Sequence, residues 1–168
     1  PQAGIIVGNA QLVDALAKDP LMRALRVGKL TIAALSSACR HYLSDDALLG
    51  GHPLFLMLEQ TPSTLTARAQ RICDRLQTSG VDADVVASAA RTGGGALPDT
   101  VLESRAVRLG LPKKQAQTVY RQLMRQAPAV VALMREGAML LDVFAVPDDD
   151  VDILVDALVE ATHSLAHH

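Results

Sequence analysis

The chain has 168 residues, 49% of them hydrophobic and 20% charged, with a formal net charge of −2. That balance excludes intrinsic disorder, and the length suits one domain, or one domain with part of another, able to bury about two-thirds of its unfolded surface. Two Tyr, two Phe and no Trp make the core aliphatic and argue against a base-stacking platform for single-stranded nucleic acid.

Ala3 to Val7 reads as a short buried strand ended by Gly8. Leu12, Val13 and Leu16 share a helical face, and Asp19-Pro20 breaks the period because the residue before proline avoids the α region. Leu21 to Arg26 looks helical, with Pro20 at its first position, and Gly28 interrupts it. Thr31 to Leu43 reads as a second helix with Leu35, Cys39 and Tyr42 along one face. Ser44 to Pro53 is loop-like, and Leu54 to Leu58 is a short apolar piece. Thr61-Pro62-Ser63 signals a helix start, with Leu65, Ala69, Ile72 and Leu76 as its stripe and Gly80 as its stop. Asp84 to Ala90 reads as a strand, Gly93-Gly94-Gly95 and Pro98 as a loop, and Arg105 to Leu109 as a second strand. Pro112 to Gln126 is helical. Val130 to Met134 and Met139 to Val143 form a hairpin about Arg135-Glu136-Gly137. Pro147 to Asp150 opens a last helix carrying Val151, Leu154, Val155 and Leu158. The order α-β-β-α-β-β-α predicts an α+β domain over 61–168, a mostly antiparallel sheet covered by helices. Segment 1–60 must pack on something else.

No apolar run approaches the ~20 residues of a membrane span, and the start does not resemble a signal peptide. No membrane partner is expected. Cys39 and Cys73 are far apart, so a disulfide framework is not expected and a cytoplasmic location fits. Both read as inert thiols on apolar helix faces. The opening at Pro1, directly on an apolar run, predicts the C-terminal part of something longer.

Residues 61–135 carry eleven Lys/Arg against five Asp/Glu, and residues 136–168 carry eight acidic and no basic side chains. A basic middle attracts RNA phosphates. The plainer reading is solvated helix faces, since Arg68, Arg71 and Arg75 recur at helical spacing beside the apolar stripe. Arg23 and Arg26 sit three apart, so on a helix they face the same way, with Lys29 a further three along. Two guanidiniums suit a phosphate clamp, although spacing alone favours a solvated surface pair. Gly93-Gly94-Gly95 lacks a Gly-Lys-Ser/Thr ending and reads as a turn. Asp148, Asp149 and Asp150 lack the spacing of a calcium loop and answer a helix dipole instead. Cys39 and His41 lie on different helix faces, and His163, His167 and His168 cluster at the end, so no metal site is expected. No Ser/His/Asp or Cys/His arrangement is defensible.

Three stretches carry a resemblance. Pro1-Gln2-Ala3-Gly4-Ile5-Ile6-Val7-Gly8 resembles the segment after the cofactor lysine in bacterial L-seryl-tRNA(Sec) selenium transferases, the selenocysteine synthases. Pro20-Leu21-Met22-Arg23-Ala24-Leu25-Arg26, with Lys29, Thr31 and the helix to Arg40-His41-Tyr42-Leu43, is similar to the family's Pro-Leu-x-Arg-Ala-Leu-Arg segment and the helix after it. Thr92-Gly93-Gly94-Gly95-Ala96-Leu97-Pro98 resembles the family's small-residue turn before Leu-Pro. The match is dense over 1–43; beyond that it is mainly an order of elements.

The resemblance implies a fold-type I pyridoxal phosphate enzyme. Residues 1–60 would end the large cofactor domain and supply connecting helices, and 61–168 would be the small C-terminal α+β domain. It implies conversion of seryl-tRNA(Sec) to selenocysteyl-tRNA(Sec) with selenophosphate as donor, by a large homo-oligomer. The catalytic lysine is expected upstream of Pro1, because none of Lys18, Lys29, Lys113 and Lys114 matches it. The chain alone is therefore expected to be inactive, with no catalytic residue of its own. The resemblance places Arg23 and Arg26 at the family's active-site arginines, holding the anionic selenium donor. Two other classes stay open: a fold-type I lyase acting on a small phosphorylated amino acid, and a non-enzymatic RNA- or partner-binding module.

Overall fold

The computed structural model describes residues 2–46, 50, 53–91 and 100–167. They fall into two compact units, Pro1–Leu58 and Glu59–His168.

The first unit is a chain of short helices. Asn9 caps α1 (Ala10–Lys18), its side chain accepting from the Gln11 amide at 2.9 Å. Asp19 ends α1 and caps α2 (Pro20–Leu25) by accepting from the Leu21 amide at 2.8 Å. Proline at the first position of α2 loses nothing, since its missing N–H would have had no helical partner. Gly28 precedes α3 (Lys29–His41), and α4 spans Pro53–Leu58. The rings of Tyr42 and Phe55 meet edge-on at 5.6 Å. None of these helices buries a residue fully, and Leu25, Leu30 and Ile32 are exposed.

Two expectations fail here. Residues 3–7 form no strand; Ile5, Ile6 and Val7 are exposed. A strand exists only where its N–H and C=O groups meet a neighbouring strand, and none of the described residues pairs with this run. Cys39 is exposed rather than a core thiol, because the α3 face that bears it packs on no core.

The second unit is built as the pattern predicts. Thr61 begins α5 (Pro62–Thr78) with a reciprocal box, its hydroxyl accepting from the Thr64 amide at 3.2 Å while the Thr64 hydroxyl accepts from the Thr61 amide at 3.0 Å. At the other end Gly80 adopts φ +79°. Its amide bonds the Gln77 carbonyl and that of Val81 bonds Leu76, both at 2.9 Å. This paired closure satisfies the last carbonyls and requires a left-handed residue. Gly80→Ala is therefore expected to cost about 1 kcal/mol, read as a lower urea midpoint with unchanged slope.

β1 (Ala83–Arg91) pairs antiparallel with β2 (Val101–Leu109) in a register placing Val85 opposite Val107. After α6 (Lys113–Leu123) come β3 (Leu133–Arg135) and β4 (Ala138–Asp142). Glu136 and Gly137, at φ 52° and 86°, join them in a two-residue turn that matches the strand twist. The sheet order is β1-β2-β4-β3, all antiparallel. A single 3-10 turn at Asp148–Asp150 leads into α7 (Val151–His163).

One face of the sheet presents Ala83, Val107, Leu109, Met139 and Leu141 to the helices. There they meet Leu65, Ile72 and Leu76 of α5, Val119 and Leu123 of α6, and Val155 and Leu158 of α7. The core is aliphatic, and the expected α+β layer fold holds.

Candidate functional site

Arg23 lies in the last turn of α2, and Arg26 is the residue that ends it. The position of Arg26 is set by the helical residues before it, so the two side chains leave one face three positions apart. Its own ψ of 124° then turns the chain away. Lys29 consequently opens α3 and does not extend the pair by a further turn, which corrects the sequence reading. Both arginines are exposed, and neither has an ion-pair partner among the described residues. Two such guanidinium forks on one short helix can hold the oxygens of a phosphate-like anion.

The basic side chains of α5 behave otherwise. Arg68 is buried at 7% exposure, not part of a solvated face. Its Nε and Nη2 donate to the two Asp148 oxygens, each at 3.1 Å; Nη1 donates to the Val143 carbonyl at 3.2 Å and Nη2 to Gln60 at 3.0 Å. Arg71 reaches the same carboxylate at 2.5 Å, and Arg75 pairs with Asp152 and Asp156. Asp148 thus does more than answer a helix dipole: it ties the approach to α7 onto α5. The Arg68 hydrogen bond, against some desolvation and with help from Arg71, lowers the Asp148 carboxyl from 3.8 to about 2. A depressed carboxyl adds stability above its unfolded pKa, and that stability disappears as pH falls through the folded value. Asp148→Asn is expected to cost about 1 kcal/mol after solvent screening, since this side chain is 59% exposed. The difference from wild type should hold above about pH 4 and close by about pH 2, as followed by urea midpoints across that range.

Sequence reading missed a cluster on the other face of the sheet. The Asp142 carboxylate accepts from Ser88 at 2.5 Å, from Ser104 at 2.6 Å and from the Phe144 amide at 3.0 Å. Ser88 and Ser104 stand directly opposite each other in the β1–β2 register. Strand alternation could have put each on a face, but only the register brings them together. The Asp142 carboxylate divides its acceptors between two hydroxyls and an amide, and the group is a satisfied polar knot.

Gly93-Gly94-Gly95 lies outside the described residues. His163 Nε2 sits 3.0 Å from the Ser79 carbonyl. Cys73 is buried, its thiol donates to the Ala83 carbonyl at 3.2 Å, and burial raises its pKa. Among the described residues no group of His, Cys, Asp or Glu is arranged to hold a metal, and no helix is long and apolar enough to cross a membrane. A hollow of about 250 Å³ beside α7 is lined by Val130, Leu141, Ile153 and Leu154 with Asp142 and Asp150; having carboxylates and no cation, it does not suit an anion.

A lysine that carries a cofactor as a Schiff base needs a sheltered pocket that favours its neutral amine. Lys18, Lys29, Lys113 and Lys114 are all exposed. Among the described residues none of the four sits in such a pocket.

A profile described as "SelA: L-seryl-tRNA selenium transferase" matches residues 1–147. The chain is 35% identical over 158 residues to the L-seryl-tRNA(Sec) selenium transferase of Hyphomonas neptunium, covering 94% of this chain and 34% of that protein. Against the protein of the same name from Solidesulfovibrio magneticus it is 33% identical over 168 residues, 96% of this chain and 35% of the relative. With that of Geobacter sulfurreducens the identity is 35% over 164 residues, 95% and 35% of the two chains. The chain thus spans about a third of the length of the curated relatives it matches.

Proposed function

The chain belongs to the L-seryl-tRNA selenium transferase family, and on that footing we propose that the full-length protein converts seryl-tRNA(Sec) to selenocysteyl-tRNA(Sec). Selenophosphate is the proposed selenium donor, and the working form a cytoplasmic homo-oligomer. The observation that carries this reading is a family match running through both structural units, residues 1–147. Pyridoxal phosphate would supply an electron sink for the serine carbon skeleton. Its lysine is proposed to lie upstream of Pro1, in keeping with the exposure of all four lysines here. Residues 1–60 would then complete the large domain and connect it to the small one, 61–168.

What this chain contributes is anion binding. Arg23 and Arg26 are exposed, on one face of α2 and without an ion pair among the described residues. Their assigned role is to hold the phosphate-bearing donor, whose oxygens match the guanidinium fork. The isolated chain should be inactive.

The test is made on the full-length protein. Borohydride reduction, digestion and mass spectrometry should find pyridoxyl-lysine in a peptide just upstream of Pro1. Serylated tRNA(Sec) and selenophosphate should then yield selenocysteyl-tRNA. Absence of the modified lysine would remove the enzyme reading. Turnover of a free phosphorylated amino acid in place of seryl-tRNA would assign a different fold-type I reaction.

A further inference from the structure

The structure divides the basic middle of the chain into two populations. Of its eleven Lys and Arg residues, Arg68, Arg71, Arg75, Arg105 and Arg108 are held by carboxylates. Arg91, Lys113, Lys114, Arg121, Arg125 and Arg135 have no ion pair among the described residues. No acidic residue occurs between Glu103 and Glu136. Apart from Arg91 at the end of β1, these charges therefore gather on α6 and beside it.

α6 buries Ala116, Val119 and Leu123. Its outer face bears Lys113, Lys114, Gln117 and Arg121, all exposed. The Arg121 Nε donates to the Gln117 carbonyl at 3.2 Å, which steadies that side chain along the helix. Lys113 lies over the β3–β4 turn: a Cβ added to Gly137 would meet its Cδ at 3.3 Å. Lys114 and Arg121 are two turns apart on one side, about 10 Å along the axis, so they reach separate phosphates rather than one. Arg125 shares a surface hollow with Glu160 and is left out of the group.

We propose that this outer face of α6, through Lys113, Lys114 and Arg121, grips the phosphate backbone of the tRNA substrate. The inference rests on the reading that the full-length enzyme acts on a seryl-tRNA. Three observations favour nucleic acid over other anionic partners. The face carries neutral amides at its centre, with Met124 exposed only at its end, whereas a protein interface needs apolar or aromatic anchors at its centre. The apolar side of α6 is already in the core, so it cannot insert into a lipid surface as an interfacial helix does. Two lysines open α6 where the helix dipole favours acids, so they do not serve the helix's own stability. With Tyr120, the aromatic ring of α6 itself, packed against the core, contacts should be to phosphates and not to bases.

The test is binding of full-length protein to transcribed tRNA(Sec), followed by fluorescence anisotropy between about 50 and 200 mM salt. Lys113→Gln/Lys114→Gln/Arg121→Gln should weaken binding about tenfold and flatten the plot of log affinity against log salt by about 2 to 3. Arg71→Gln/Arg75→Gln/Arg108→Gln removes the same charge from the paired population and should leave both nearly unchanged. Equal weakening by the two triples would reduce the effect to net charge and overturn the proposal. So would an unaltered affinity and slope in the α6 triple, with wild-type tRNA binding intact and the enzyme reading untouched. Loss of binding to phosphatidylserine vesicles by the α6 triple, with tRNA binding kept, would overturn it in favour of a membrane. A wild-type protein that binds no tRNA would instead bring down the enzyme reading itself.

Discussion

Arg23→Ala in the full-length enzyme is expected to slow selenium transfer by about 10- to 100-fold, because a charge-assisted hydrogen bond contributes about 1.5 to 3 kcal/mol. The double variant Arg23→Ala/Arg26→Ala should lose more, since the remaining fork can no longer compensate. Neither arginine supports the fold: both are exposed and free of ion pairs among the described residues. The loss should therefore leave thermal stability and cofactor absorbance unchanged and raise the donor concentration needed for half-maximal rate. Arg23→Lys keeps the charge but not the planar fork, so it should recover part of the activity. Unchanged turnover in the double variant would remove the assigned role.

Arg68→Ala is expected to lower the stability of the second unit by about 3 kcal/mol. The guanidinium is buried, and it satisfies the carbonyl of fully buried Val143 besides Asp148 and Gln60. Its removal leaves that carbonyl with the Val146 amide as its remaining donor, at 3.2 Å, and opens a void beside the core. The effect stops short of the upper range because Asp148 is 59% exposed and keeps Arg71, so its charge can rehydrate. Arg75→Ala is the contrast. Its pairs with Asp152 and Asp156 involve carboxylates about four-fifths exposed, and exposed pairs contribute about 0.5 kcal/mol. Urea midpoints of the two variants should differ plainly; equal small shifts would show that burial of Arg68 matters little.

These contrasts show which parts of the molecule could be read from the sequence. The Thr61 box, the Gly80 stop and the Glu136-Gly137 turn are local, each set by a few adjacent residues. They fix the ends of α5 and the β3–β4 hairpin, and with the apolar stripes they specify the second unit's element order. Arg68 looked like its neighbours Arg71 and Arg75 because helical spacing cannot tell which of three arginines a distant segment will cover. The meeting of Ser88, Ser104 and Asp142 depends on the registers β1–β2 and β2–β4, which no local pattern states. Ala3–Val7 has the composition of a strand, but composition does not supply the partner that makes one. For Arg23 and Arg26, spacing gave a shared helix face, and only resemblance to the family attached a ligand to it. The same spacing put Lys29 one turn too far along α2, since the extended residue at Arg26 is invisible in a periodicity.

The bond between Arg68 and Asp148 joins residues 80 positions apart. A contact so distant along the chain repays its loop-closure cost only after most of the intervening sheet has assembled. Such a bond belongs to the last steps of folding, and by the same token to the first steps of opening. It acts as a latch on the time axis: it slows escape from the native state more than it hastens arrival there. The unit closed by it should owe its resistance to proteases, under conditions where cleavage outpaces reclosing, to one buried guanidinium more than to any strand of its sheet.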